Sequence, residues 1–304
     1  MTGHHKDNRS GLLLGLGAYL LWGLFPLYFR ALGHVGALEV VAHRILWSLI
    51  LLAALLSWWG RWPALRAATR QPRLLAILAG TALLISVNWL VYIWAVTHGH
   101  VIEASLGYYL NPLVNVLLGV LFLNERLFAM QRVAVGLAFA GVAVLAIGSI
   151  GGVWISLSLA VSFALYGYFR KITPVEAVEG LSIETTLLAP AALGWLFWLH
   201  SHGGLAFGDD RVTDGLLLLA GAATAVPLLL FNAAAKRLPY STLGFLQYLT
   251  PSMQFLLAVT AFGERMTVAH IVCFAAIWSA VAIFAAEGIR SRRAAARERA
   301  AAGL

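Results

Sequence analysis

From Gly11 to Gly288 the chain is a succession of apolar runs of about 20 residues, parted by short polar or basic breaks. That length matters because a helix of about 20 residues spans a hydrocarbon core of about 30 Å. Ten such runs are predicted as spans, at 11–31, 38–57, 74–97, 103–123, 131–148, 152–170, 180–201, 214–235, 241–262 and 267–288. They leave no length for a separate soluble domain. The expected fold is an all-α integral membrane protein with ten transmembrane helices. A β-barrel is excluded because its strands alternate apolar and polar residues over about ten positions, whereas these runs are continuous.

Composition agrees. Only 11% of residues are charged and 61% are hydrophobic, against about 25% charged in soluble domains. The single cysteine, Cys273, excludes a disulfide framework and reads as a small core residue. The net charge of +8 does not point to nucleic acid, because the basic residues flank the apolar runs instead of forming a surface stripe. The first run lacks a clear small-residue cleavage site and is read as a retained span.

Charge placement predicts orientation. With the N-terminus inside, the inner segments hold 17 of the 21 basic residues. Arg30, Arg211 and Arg265 fall outside and Arg44 lies within a span. Positive residues gather on the cytoplasmic side, so both termini are expected in the cytoplasm. The basic tail from Arg290 reads as a stop-transfer flank or an anionic-lipid contact, and Trp58, Trp59 and Trp62 as interface anchors.

The chain also repeats itself. Tyr109 to Arg126 (YLNPLVNVLLGVLFLNER) and Tyr248 to Arg265 (YLTPSMQFLLAVTAFGER) are identical at eight of 18 positions, at an offset of 139 residues. Tyr28-Phe29-Arg30 returns as Tyr168-Phe169-Arg170, and Ala79-Gly80 as Ala220-Gly221. The expected units are an N-tail (1–10), a first repeat (11–148), a second repeat (152–288) and a C-tail (289–304). Five spans per copy is an odd number, so the second copy crosses in the opposite sense. Inverted repeats of this kind are found in secondary transporters, with substrate held near the midplane where the copies meet.

Proline-interrupted spans in corresponding places point to such a site. Pro112 and Pro251 correspond and are expected to break their helices. Around them, Tyr108, Asn111 and Asn115 share one helical face, and Gln247, Thr250 and Gln254 occupy the same three positions of the second copy. These stripes line a cavity or glue helices together by hydrogen bonds. Tyr19 and Trp22 in the first span, with Asn88 and Tyr92 in the third, add aromatic and amide groups suited to a flat metabolite.

Arg44 lies about 9 Å inside the outer boundary at helical rise, where an arginine needs a partner or an interior position. It either binds a substrate carboxylate as a fork or pairs structurally with Glu39, Glu103 or Glu184. His43 is a candidate proton carrier or a satisfied interior histidine. Glu125-Arg126 and Glu264-Arg265 end their spans as caps or gate-side ion pairs.

No Walker A sequence, His-Glu-x-x-His or Gly-x-Ser-x-Gly occurs. The cluster Asp209, Asp210 and Asp214 is a solvated loop or a faint likeness of a magnesium-diphosphate motif.

Ala42-His43-Arg44, NWLVYIWAV (88–96), EASLGYYLNPLVNVLLG (103–119) with its FLNER, and STLGFLQYLTPSMQFLLAV (241–259) with FGER resemble the EamA family of the drug/metabolite transporter superfamily, in its RarD-type (chloramphenicol-sensitivity) branch. The resemblance implies two inverted EamA repeats, a central cavity and a bacterial cytoplasmic membrane. The expected function is secondary transport, outward or by exchange, of a small metabolite or drug, amino-acid-like or amphenicol-like. The alternatives are an intramembrane enzyme acting on a lipid or prenyl substrate and a non-transporting receptor or scaffold. The expected partners are a small-molecule substrate and the bilayer, with protons as one coupling option; no metal, cofactor or nucleic acid is expected.

Overall fold

The computed structural model describes residues 3–97, 100–146, 153–261 and 268–301. Among them are thirteen helices and no strand. Their order is α1 (Gly3–Gly23), α2 (Phe25–Ala31), α3 (Ala37–Trp58), α4 (Trp62–Thr69), α5 (Pro72–Thr97), α6 (Val101–Phe122) and α7 (Ala129–Ala146). The second half adds α8 (Val153–Ile172), α9 (Ala177–Ser201), α10 (Arg211–Arg237), α11 (Tyr240–Gln247), α12 (Leu249–Ala261) and α13 (Val268–Ala301).

Seven helical stretches among the described residues are long and apolar enough to cross a membrane, and Leu106–Phe122 and Ala129–Val144 are shorter apolar helices. Large apolar side chains such as Leu83, Phe139 and Phe197 stay exposed on these helices, as a lipid-facing surface requires. Trp58 is 87% exposed at the end of α3, and Trp62 donates to the Ser57 hydroxyl across the turn into α4.

Prolines shape the bundle unevenly. The first run bends at Leu24, with Pro26 in the opening turn of α2. Pro26 has no N–H for the Trp22 carbonyl a turn earlier, and the Gln254 side-chain amide donates to that carbonyl instead at 3.1 Å. The ninth run breaks at Tyr248, between α11 and α12, three residues before Pro251. The break expected at Pro112 is not found, because α6 continues through it. One lost i→i−4 bond does not end a helix packed along its length, here between α8 and α11. At that contact, a Cβ on Gly244 would sit 2.8 Å from the Pro112 carbonyl oxygen.

The helices pack in a defined scheme. α1 lies against α10 and α12, α3 against α9 and α10, and α5 against α8 and α9. α6 packs on α8 and α11, while α7 and α13 form a pair. The largest buried cluster joins Tyr19, Tyr166, Phe231, Tyr240 and Leu243 where α1, α8, α10 and α11 converge. Glu125 closes this end, accepting from the backbone N–H groups of Tyr240 and Ser241 and from the Ser241 hydroxyl. Its carboxylate thereby satisfies orphan donors at the N-terminus of α11. Glu264 and Arg265, the other expected pair, lie outside the described residues.

Candidate functional site

A cavity of about 700 Å³ opens within the bundle beyond that cluster. Nine of the residues singled out by sequence border it: Trp22, Arg44, Asn88, Tyr92, Tyr108, Gln247, Thr250, Pro251 and Gln254. It extends to the α2–α3 connection, where Gly33, His34 and Gly36 are exposed. Its inner wall is aromatic: Trp22 meets Phe163 at 5.7 Å between centroids and Phe231 at the same distance.

Polar groups along the wall are held by backbone carbonyls and by other side chains. Asn88 donates through Nδ2 to the Leu159 carbonyl and the Ser162 hydroxyl. Thr250 donates to the Tyr19 carbonyl at 2.9 Å. Gln247 accepts from Asn115 through Oε1 at 2.8 Å. Pro112 and Pro251 offer no N–H to the carbonyls of Tyr108 and Gln247, and both of those residues border the cavity.

Arg44 provides the charge. Its Nε donates to the Thr224 hydroxyl at 2.8 Å, and its guanidinium carbon lies 5.0 Å from the Trp89 ring centroid and 5.7 Å from those of Phe25 and Phe29. Among the described residues no carboxylate lies within ion-pair distance of it.

Several expected site residues lie elsewhere. Tyr19 is fully buried and donates to the Leu243 carbonyl, joining α1 to α11. Asn111 donates to the Ala160 carbonyl, so it fastens α6 to α8, and Asn115 is buried against Gln247. His43 turns to the other side of α3, where its Nδ1 accepts from Trp47 and its ring packs 4.9 Å from Phe207. That bond leaves the proton of a neutral ring on Nε2, 3.9 Å from Glu39. Glu39 accepts from the Ala206 and Phe207 amides and thus pins the α9–α10 loop.

Glu184 sits with Arg170 at 3.7 Å and accepts from Thr81 and Tyr166. Glu39 and Glu184 are therefore spent on other groups, and neither borders the cavity. The side chain of Glu103 lies outside the described residues. Sequence reasoning missed Trp89, Phe25, Phe29 and Phe163, although Phe25 and Phe29 continue the helical face of Trp22.

The acidic cluster near the start of α10 is engaged with backbone. Asp210 caps that helix, accepting from the Thr213 N–H and hydroxyl, and Asp214 accepts from the Gly208 N–H at 2.7 Å. The Thr213 backbone bond, with its hydroxyl bond next, holds the Asp210 carboxyl below its ordinary pKa.

Residues 9–147 match the EamA-like transporter family. An uncharacterized transporter of Vibrio cholerae is 45% identical over 303 residues, covering 98% of this chain and 99% of that protein. This chain belongs to the EamA-like transporter family. Within it, Protein RarD of Escherichia coli is 46% identical over 95% of this chain and 98% of its own length, and Protein RarD of Streptomyces exfoliatus is 47% identical over 98% and 95%. A solved crystal structure shares the fold with a TM-score of 0.70 at 22% identity, covering 91% of this chain and 97% of that one. Family, apolar helices and transporter-named relatives together support a multi-pass membrane transporter.

Proposed function

We propose that this EamA-family chain is a secondary transporter carrying a small organic metabolite or drug by alternating access between two inverted five-helix repeats. The observation that carries the reading is the cavity itself, walled by Trp22, Arg44 and Tyr92 from the first half and by Phe163, Gln247 and Gln254 from the second. Its volume is within the range of about 300–1,000 Å³ common to small-molecule sites.

The packing scheme supports the inverted repeat. If the first five runs correspond to the last five, the contact of α1 with α10 has its counterpart in α8 with α5. Likewise α3 with α10 corresponds to α9 with α5, and α6 with α8 to α12 with α1. The proposed units are residues 11–148 and 152–288, with tails at 1–10 and 289–304. The proposed setting is a bacterial cytoplasmic membrane with both termini inside, on the charge asymmetry of the loops. In that orientation the cavity reaches the outer α2–α3 connection and is sealed at the cytoplasmic end by the Tyr19, Tyr240 and Leu243 cluster.

The test is counterflow in liposomes against a metabolite mixture that includes aromatic amino acids and chloramphenicol, read by mass spectrometry. Saturable accumulation of one compound, with its apparent affinity changed by Gln247→Ala, is expected. Folded protein that accumulates nothing beyond empty liposomes would count against the reading. A pH gradient imposed in the same assay tests proton coupling; flux indifferent to it removes that option.

A further inference from the structure

Arg44 brings a full positive charge to the cavity, and among the described residues no Asp or Glu borders that space. The acids that sequence offered as its partners and whose side chains are described, Glu39 and Glu184, are engaged elsewhere. Only Nε of the guanidinium has a described hydrogen bond, to Thr224. The two terminal nitrogens have none, and they are not among the buried polar atoms without partners, so they face the open space. Phe25, Phe29 and Trp89 surround the guanidinium within 6 Å, and ring faces leave the hydrogen-bonding capacity of the fork to whatever enters.

An isolated charge at membrane depth is costly, and a planar fork matches a carboxylate with two parallel hydrogen bonds. A monoanion would bring the cavity to net neutrality. A neutral amide or a zwitterion would leave one uncompensated positive charge. The remaining wall offers ring faces from Trp22, Tyr92 and Phe163, with side-chain amides from Gln247 and Gln254 at one side. Such a wall suits a flat apolar body bearing few hydrogen-bonding groups.

We infer that the substrate class is a small aromatic monocarboxylate, bound through Arg44 and carrying no compensating ammonium. This rests on the transporter reading for its physiological meaning, but the binding site stands on the geometry alone.

The experiment uses the full-length protein with three probes of similar size: 3-phenylpropionate, 3-phenylpropanamide and phenylalanine. Binding is followed by intrinsic tryptophan fluorescence, which Trp22 and Trp89 report from the cavity wall, and each probe is then assayed by counterflow. The acid is expected to bind at least tenfold more tightly than the amide or the zwitterion. Arg44→Gln should erase that preference, while Arg44→Lys, which keeps the charge and guards against a folding artefact, should retain part of it. Equal binding of acid and amide, no binding of the acid up to millimolar concentration, or a preference that survives Arg44→Gln overturns the proposal. Arg44-dependent binding of the acid without counterflow would keep the anion site and remove the transporter reading. Counterflow of amide or phenylalanine as efficient as that of the acid would do the reverse.

Discussion

Asn115 donates to Gln247 across the α6–α11 contact at 2.8 Å, and the residues that correspond to this pair are not bonded to each other. At the 139-residue offset, Asn115 corresponds to Gln254 and Gln247 to Tyr108. Gln254 instead donates to the Trp22 carbonyl, and both it and Tyr108 border the cavity. If the proposed inverted repeats exchange conformations, these roles swap, opening Asn115–Gln247 and joining Tyr108 to Gln254.

Asn115→Ala should therefore weaken the conformation seen here. A hydrogen bond of this kind is worth about 1 kcal/mol, or roughly a fivefold change in the balance of the two states. Val41→Cys places a thiol on the cavity wall away from both pairs, and the only native cysteine, Cys273, is buried. An impermeant maleimide should label that thiol several-fold more slowly in the Asn115→Ala background. An unchanged rate would mean that the pair does not set the conformational balance.

Trp89 was not singled out by sequence, yet its ring is the aromatic face nearest the Arg44 guanidinium, at 5.0 Å. A partly desolvated cation–π contact is worth about 1–2 kcal/mol. Trp89→Leu removes a ring that positions the guanidinium and should raise the KM of an Arg44-bound substrate at similar protein yield, by no more than the roughly 30-fold equivalent of the whole contact, and Trp89→Phe by less. Counterflow rates measured over a range of substrate concentrations separate this from a loss of kcat. A KM unaltered in Trp89→Leu would mean that Trp89 does not position Arg44 for substrate.

What sequence made legible follows from what is periodic. Continuous apolar runs announce helices, because no other open structure satisfies its backbone in lipid, and the described helices fall on those runs except for α4, which lies in the basic break between the second and third. A polar stripe announces only a face. Tyr108 reaches the cavity, whereas Asn111 and Asn115, on the same face, meet Ala160 and Gln247, because neighbouring helices close in along the axis. Arg44 was legible as an interior charge, but its hydroxyl partner Thr224 is 180 residues away in the chain, a distance no local pattern encodes. Glu39 and His43 turned out to serve the α9–α10 loop, whose sequence gave no hint of a partner.

Repeated sequence does not mean repeated packing, as Gly80 and Gly221 show. A Cβ on Gly221 would lie 2.6 Å from the backbone oxygen of Trp47, where α3 and α10 cross, and the neighbouring Ser48 hydroxyl donates to the Gly221 carbonyl. Gly80 has nothing within 4 Å. Gly221→Ala should force the helices apart and cost about 1–3 kcal/mol, lowering the unfolding temperature in detergent. Gly80→Ala should leave it unchanged or slightly higher, since alanine is the better helix former by about 1 kcal/mol. Equal responses would show that the crossing is not as close as described.

Asp210 gives a pH-dependent prediction outside the membrane. Its carboxylate caps α10 through Thr213, and those bonds hold its pKa below the ordinary value. A group depressed on folding stabilises the native state above its unfolded pKa, and that contribution is lost as pH falls through the folded one. The cap should thus be fully effective at pH 7 and fade only below the usual carboxylate range. Asp210→Ala should lower the unfolding temperature at neutral pH, with the difference from wild type narrowing on acidification. Asp210→Asn, which can still accept from Thr213, should fall between them and show a flatter pH profile. Thermal unfolding of the three proteins from pH 7 to pH 3 checks this, and a gap between wild type and Asp210→Ala that widens towards acid would refute the capping account.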